Sequence, residues 1–429
     1  MGSVTVKRLK YGESSTIKMG NHQIIIDCGS ENQGDSLSSG EFAYNAIKAD
    51  IENDCKTDLL VTHFHKDHFN GILHIPDSPK RIENIYLPYS IIKGDHVFAG
   101  AISRLLVVAS RRSWGFQLSS SIIELFLKVE RLVGSPYDIR FVKAGDTIEI
   151  NNKEIRVLWP DCRFDIGNLE VYGIYIKDLT SDKTVSKNNN YLIGLDDQSV
   201  PTLKSINERI DNQYSEILGY IRSRNYDVSE IESSREKIYS ALKDYLDSCL
   251  EREDTQWHSE AANGLRTAEE IAKRTNESFW RYIGQDKLLA EQVKTFSRNQ
   301  YHGLITTMNA ISIVCDSEQK FIFMGDLPAA IVEHLHKSFK PRYTVVKIQH
   351  HGTQPYYTSV TPTGQYYIIS NGGYERRKVG EQFVSNLNGG EILCTNAHEI
   401  AGKYCSYWLK NKQCKNTCKQ LSKEETILI

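Results

Sequence analysis

Thr62-His63-Phe64-His65-Lys66-Asp67-His68-Phe69-Asn70-Gly71 follows the apolar run Asp58-Leu59-Leu60-Val61. The run is short, buried in character and β-prone, so it predicts a strand that delivers His63 at its C-terminal end. Three histidines and an aspartate then fall within six residues, 63–68. On an extended segment, residues two apart point to the same side, so His63 and His65 face one way. Asp67-His68 can turn back toward a second metal. Imidazole and carboxylate together suit Zn²⁺, with Mn²⁺ or Fe²⁺ as alternatives. A polar surface loop with chance histidines is the plainer reading, and this spacing after a strand argues against it.

Outward from that stretch the chain alternates strands and helices. Strands are predicted at 4–9, 23–27, 82–87, 139–142, 147–150 and 154–159, the last stopped by Pro160. A helix is expected over about 40–53, and a helical pattern over about 94–134. Residues 163–302 are polar, charged and helical in pattern, with Ile206, Ile210, Ile217 and Ile221 marking one face. Thr267-Ala-Glu-Glu270 reads as a capping box before Ile271. Strands resume over 304–316 and follow at 321–324, 344–348 and 366–370. The expected organisation is therefore residues 1–162, including the helical segment, a helical insertion over 163–302, and 303–429 as the second half of the strand-rich fold.

Composition narrows the class. A chain of 429 residues, 40% hydrophobic, can bury a sizeable core. Its formal net charge of -2 does not advertise a polyanion partner. The 9 cysteines include no CxxC pair, which fits reduced thiols in a cytoplasmic protein. No run approaches the ~18 apolar residues of a membrane span, so no membrane role is expected.

The residues carry a resemblance. The segment THFHKDHFNG resembles the HxHxDH signature of the metallo-β-lactamase superfamily. Ile24-Ile25-Ile26-Asp27-Cys28-Gly29 resembles its first motif, and Phe321-Ile322-Phe323-Met324-Gly325-Asp326 its strand ending in Gly-Asp. Lys347-Ile348-Gln349-His350-His351-Gly352-Thr353 resembles its late histidine motif. Val157-Leu158-Trp159-Pro160, Asn309-Ala310-Ile311-Ser312 and Ile368-Ile369-Ser370-Asn371-Gly372 are similar to the hydrolase domain of ComEC-type competence proteins and their soluble relatives. The resemblance covers about residues 4–160 and 304–400. It implies an α/β fold, a four-layer αββα sandwich interrupted by a large helical insertion.

It also implies roles. His63 and His65 would hold one divalent metal, and Asp67, His68 and a late histidine a second, with Asp326 bridging. The expected pair is zinc, with manganese as the alternative. His350 is the favoured late ligand, with His351 protonating the leaving group; the reverse assignment stays open. Asp67 would orient the nucleophile, a hydroxide shared by the two metals. Asp27 would support a liganding imidazole from behind; a turn-capping aspartate is the plainer reading. Asn309 stands where many members carry histidine, implying a weaker ligand or a substrate contact, with His302 as a substitute. Thr353, Ser370 and Asn371 could offer donors to a substrate anion.

The resemblance favours a phosphodiesterase or nuclease acting on nucleic acid or nucleotides. Arg376-Arg377-Lys378 and the tail lysines 403, 410, 412, 415 and 419, interleaved with Tyr404, Tyr407 and Trp408, agree with that. A solvated lysine face is the plainer reading of the same residues. Two alternatives stand beside it. One is a hydrolase of lactones, thioesters or β-lactams. The other is a partner-regulated subunit of a multiprotein system, such as a defence system, with the insertion as docking platform. Homo-oligomerisation is compatible with either.

Overall fold

The computed structural model describes residues 2–9, 12–31, 37–79, 81–89, 95–161, 203–250, 255–318, 320–352, 358, 360–370, 390–395, 418–420 and 424–429. The chain is mixed α/β and divides into two compact units. Unit 1 comprises Met1–Tyr89, Lys128–Arg163 and Met308–Ile429; unit 2 comprises Ser90–Leu127 and Phe164–Thr307.

Unit 1 is built on two mixed sheets. The first contains β1 (Gly2–Val6), β2 (Gly12–Met19), β3 (His22–Ser30), β4 (Lys56–Leu60), β5 (Ile82–Pro88) and β6 (Ile139–Val142). The second begins with β7 (Thr147–Ile150), β8 (Lys153–Trp159), β9 (Val314–Ser317), β10 (Phe321–Phe323) and β11 (Arg342–Lys347), followed by β12 (Thr363–Ile369), β13 (Glu391–Cys394) and β14 (Cys418–Gln420). The last strand, β15 (Glu425–Leu428), returns to pair with β1, giving the orders β15-β1-β2-β3-β4-β5-β6 and β14-β13-β12-β11-β10-β9-β8-β7.

Each sheet opens with antiparallel pairs and continues in parallel. In the first, β1, β2 and β3 are antiparallel while β3, β4, β5 and β6 run parallel. In the second, β7 to β10 are antiparallel and β10 to β14 parallel. One core joins the two sheets. Val4, Ile17, Ile24, Ile26 and Leu60 of the first share a buried cluster with Ile148, Val157, Cys315, Phe321, Phe323, Val345 and Ile368 of the second. In several strands the cluster residues alternate along the chain, as at Ile24/Ile26 and Phe321/Phe323, which is the period of a pleated strand.

Helix α1 (Ser39–Glu52) starts at a capping box. Ser38 Oγ accepts from Glu41 N at 3.2 Å, and Glu41 Oε2 accepts from Ser38 N at 2.9 Å. Its buried residues Ala43, Ile47 and Ile51 recur at helical spacing, and the helix packs against β2 and β3.

Unit 2 is helical. It contains α3 (Asp95–Val108), most of α4 (Trp114–Leu132), α5 (Leu203–Ser223), α6 (Ser229–Ser248), α7 (Thr255–Ile283) and most of α8 (Lys287–Ala310); the single turn α2 (Lys66–Phe69) and the short α9 (Ala329–Leu335) belong to unit 1. The helical segment 94–134, grouped above with the N-terminal half, thus lies mostly in unit 2. The reason is a set of hydrogen bonds. Asn276 Nδ2 of α7 donates to Val107 O (3.1 Å) and Ala109 O (2.8 Å), and Trp280 Nε1 donates to Val108 O (3.0 Å). These side chains satisfy carbonyls at the end of α3 that the helix leaves without partners.

Two further expectations are corrected. Residues 304–310 are the end of α8 rather than a strand, and β9 begins only at Val314. Thr267 does not open a helix: it lies inside α7, its hydroxyl donating back to Asn263 O at 2.9 Å. No helix among the described residues is long and apolar enough to cross a membrane.

Phe321 is fully buried in the cluster that joins the sheets. Phe321→Ala is expected to cost about 3–5 kcal/mol, read as a lower denaturant midpoint with an unchanged slope. A loss below 1 kcal/mol would mean that this cluster does not hold unit 1 together.

Candidate metal centre

The segment after β4 folds as its composition requires. Phe64 is fully buried between His63 and His65, anchoring an extended stretch with both imidazoles turned the same way, ring centroids 4.5 Å apart. His65 is the N-cap of α2, so Asp67 and His68 ride on one helical turn. Gly29 makes that possible. A Cβ there would lie 2.3 Å from Asp67 C and His68 N, so only glycine lets β3 approach this backbone. Asn70 completes the seam, its Oδ1 accepting from Ser30 N at 3.0 Å.

Two groups of potential ligand atoms result, each with all atoms within 4.8 Å of one another: His63, His65 and Asp326, and Asp67, His68 and His351. Asp326, three residues past β10, faces both. Its Oδ1 is 3.4 Å from His68 Nε2, and its Oδ2 is 3.4 Å from His351 Nε2 and 3.8 Å from His63 Nε2. His351 Nε2 is also 3.2 Å from Asp67 Oδ2.

In this geometry it is His351, and not the favoured His350, that groups with other potential ligand atoms. His351, expected to protonate a leaving group, stands in the second ligand group. His350, the favoured ligand, stands in neither group. Its Nδ1 lies 3.2 Å from Asp326 O and 3.8 Å from Asp326 Oδ2. The cause is backbone conformation. His350 (φ 47°), His351 (φ 57°) and Gly352 (φ 71°) are all left-handed, so the chain coils and the second histidine turns inward. Nothing in the letters His-His reveals that.

Other residues hold the imidazoles from behind. Asp27, itself left-handed (φ 57°), accepts from Thr62 N and Thr62 Oγ1, both at 2.7 Å, and meets His68 Nδ1 at 2.8 Å. It caps the turn and orients His68, leaving Nε2 toward Asp326. Glu13 Oε2 stands behind His351, 3.3 Å from its Nδ1, as an ion-pair contact. Glu13 is buried and ion-paired to the equally buried Lys347 at 2.9 Å. Sequence reasoning missed Glu13, which enters from β2, about fifty residues ahead of the histidine segment, with no spacing to mark it. Ser370 is buried and its hydroxyl donates to Glu13 Oε1 at 3.3 Å.

Asn309 ends α8 with its Oδ1 buried and without a hydrogen-bond partner. His302 lies within α8 in unit 2, beside Tyr301. Thr353, Asn371, Arg376-Arg377-Lys378 and the tail residues 403–415 lie outside the described residues; of Lys419 only the strand placement is described.

The electrostatics divide the cluster. Burial, helped by the charges of His68 and His65, holds His63 well below the usual imidazole range. Burial also lowers His65, to about 4, against Asp67 and Asp326. Both are neutral near pH 7, the form that ligates metals. Burial opposes charge on His68, but Asp326 and Asp27 overcome it and raise that group to about 10. His351 is likewise raised well above the usual range, burial being outweighed by Asp326, Asp67 and Glu13. Burial alone would raise Asp67, yet the hydrogen bond with His351 and the charge of His68 bring it to about 2.

The donor set fits a cation. Nε2 of His63 and of His65 and Oδ1 of Asp326 are buried without hydrogen-bond partners, an arrangement that native interiors rarely tolerate unless something else binds there. A third acid–imidazole group, His22, Asp58 and Glu83, differs. Asp58 is occupied by Asn84 N (3.0 Å), Asn84 Nδ2 (2.9 Å) and His22 (3.0 Å), while Glu83 pairs with Lys56.

No protein-family model matches this chain, and no curated protein does. Among solved structures it is similar to a protein of unknown function from Enterococcus faecalis V583, at 12% identity over 36% of this chain and 37% of that one, with a TM-score of 0.21. A likeness of that size carries no argument.

The close approach at Gly29 is directly testable. Gly29→Ala is expected to lose about 1–3 kcal/mol, because its methyl meets backbone that cannot yield. Gly219→Ala, within α5 with nothing within 4 Å of its added Cβ, is expected to gain about 0.5–1 kcal/mol. Denaturant unfolding of both variants reads the contrast. Equal effects would mean that the β3–α2 contact is looser than described.

Proposed function

We propose that this chain is a metal-dependent hydrolase of the metallo-β-lactamase superfamily, acting on phosphodiester bonds. The observation that carries the proposal is the convergence of two histidine–carboxylate groups on Asp326, beside the C-terminal ends of parallel strands from both sheets. Crevices at such strand ends are where α/β folds place their ligands. The two-sheet core and the order of the motifs along the chain support the superfamily reading, and the ComEC-type resemblance supports a phosphodiester substrate.

His63, His65 and Asp326 would hold one divalent ion, and Asp67, His68, His351 and Asp326 a second, with zinc best suited to the imidazole-rich set. Bound there, such ions supply Lewis acidity toward a phosphoryl oxygen and acidify water. The protein's own contribution is preorganisation. Asp27 and Glu13 each take the outer nitrogen of one imidazole, so His68 and His351 present Nε2 inward. Asp67 is held ionised by its neighbours and can accept a proton or orient a water. His350 lies beside Asp326 outside both groups, and burial keeps it below the usual range. Neutral near pH 7, it would act by taking up a proton and passing it to the leaving oxygen.

Metal analysis joined to a substrate panel tests this. The purified chain is expected to bind divalent metal and to cleave a phosphodiester reporter, DNA or RNA, but not a lactone. His63→Ala combined with Asp326→Ala should abolish cleavage. A chain that takes up neither Zn²⁺ nor Mn²⁺ would overturn the metal reading; lactone turnover without phosphodiester turnover would overturn the substrate class.

Asp27→Asn preserves shape while weakening the partner of His68. It is expected to lower zinc affinity about 10–100-fold, measured by competition with a chromogenic chelator. An unchanged affinity would reduce Asp27 to a turn cap.

A further inference from the structure

Unit 2 turns a tryptophan toward solvent. Trp114 opens α4 and is 72% exposed, the most of the large hydrophobic side chains among the described residues. Tryptophan is ordinarily one of the better-buried residues. A single exposed apolar side chain needs no explanation, but Trp114 does not stand alone. Its ring meets Tyr301 of α8 edge to face, with centroids 6.1 Å and planes 79° apart, and Tyr301 in turn meets His302 at 5.7 Å.

The indole is held in place. Ser113 Oγ accepts from Phe116 N at 3.3 Å and Ser113 O from Gln117 N at 3.2 Å, so α4 begins at a fixed point. Gly115 lets that start lie against α8. A Cβ there would be 2.8 Å from Leu105 Cδ2 and 3.4 Å from Tyr301 Cβ.

Charge around this pair is one-sided. Between Asp95 and Glu124 the chain holds three arginines and no carboxylate; after Glu291, α8 holds Lys294 and Arg298 and no carboxylate. These two runs meet at Gly115 and Tyr301. Arg112 lies two positions before Trp114, and Arg298 one turn before Tyr301 on the same face of α8. Both are exposed, and neither has an ion-pair partner among the described residues. The carboxylate that does reach this turn, Glu277 of α7, is shared between Arg111 at 3.4 Å and Arg281 at 3.6 Å.

An open indole beside arginines without counter-charges suits an unpaired base and its phosphates. Bases of any identity stack on aromatic faces, and guanidinium groups meet phosphate oxygens. A duplex hides its base faces, so this geometry selects single strands. A protein interface would surround such an anchor with apolar neighbours. Here the exposed neighbours in the chain are Arg111, Arg112 and Gln117.

We propose that Trp114 and Tyr301, flanked by Arg112 and Arg298, bind single-stranded nucleic acid, with a base stacked on the indole and phosphates on the two guanidinium groups. The surface belongs to unit 2 and contains no residue of the metal centre, and the inference does not rest on the hydrolase reading.

Fluorescence anisotropy of a labelled oligothymidylate of about 16 nucleotides, titrated with the full chain in EDTA, tests it. Chelation stops any metal-dependent cleavage, so binding is read apart from hydrolysis. The single strand is expected to bind, and to bind more tightly than the same strand in a duplex. Trp114→Ala should weaken binding about tenfold with an unchanged thermal midpoint, because the indole is mostly in solvent. Trp114→Phe should keep most of the affinity. Arg112→Ala and Arg298→Ala should each flatten the dependence of log K on log salt by about 0.7. Lys153→Ala, at an exposed position of unit 1, should change neither affinity nor slope. The proposal is overturned if the oligonucleotide fails to bind at low salt, if the duplex binds as tightly as the single strand, or if Trp114→Ala leaves the affinity unchanged. Sedimentation completes the test: a dimer that Trp114→Ala dissociates with no loss of oligonucleotide affinity would make this patch a contact between copies instead.

Discussion

One buried carboxylate sets the terms for the rest of unit 1. Asp326 sits 2% exposed between imidazoles from two different sheets, and it can remain ionised there only because positive charge surrounds it. That requirement propagates outward. His68 and His351 must face it with Nε2, so their outer nitrogens need acceptors, which Asp27 and Glu13 provide. Glu13 in turn needs Lys347 and Ser370. Even the junction of the sheets follows the same line: Ile313 N donates to Thr62 O, and Ser312 Oγ accepts from Asp326 N. What looks like a sheet core with a polar site at one end is a chain of compensated charges, each link buried, each dependent on the next.

The two sheets share a plan. In each, antiparallel strands come first and parallel strands follow, and the site residues leave the parallel strands. Parallel strands need crossovers and bring their C-terminal ends to one side. A loop from each sheet can therefore meet at one place, which hairpins alone would not allow. Glycine handles two close approaches at the site, at Gly29 against the α2 backbone and at Gly325, where φ is 49°.

Much of this was legible from residue types and spacing. His63, His65, Asp67, His68 and Asp326 are brought together as their motifs suggest, because histidines and aspartates placed after apolar runs carry both chemistry and position. The rest was hidden for physical reasons. Which of His350 and His351 faces inward depends on three left-handed residues, and φ is not written in side-chain identity. Glu13 and Lys347 were silent because a buried ion pair looks, in sequence, like two surface charges. The burial of Ser370 was silent too, because a serine after a strand gives no sign of being buried. The ownership of residues 95–108 was invisible because it turns on Asn276 and Trp280, about 170 positions away.

That last contact bears on where this protein can be cut. The helical unit is discontinuous in the chain, and within its first piece α3 ends in carbonyls that the second piece satisfies. Excising 164–307 as though it were a self-contained insert would strand α3 and the start of α4. Fully buried residues such as Ile102, Leu105, Leu106, Ile122 and Phe126 would then meet solvent. A trimmed version would keep the two sheets and gain a sticky helical hairpin. The natural seam for grafting or minimising the protein removes both pieces and rejoins the chain near residues 89 and 128 as well as near 163 and 308.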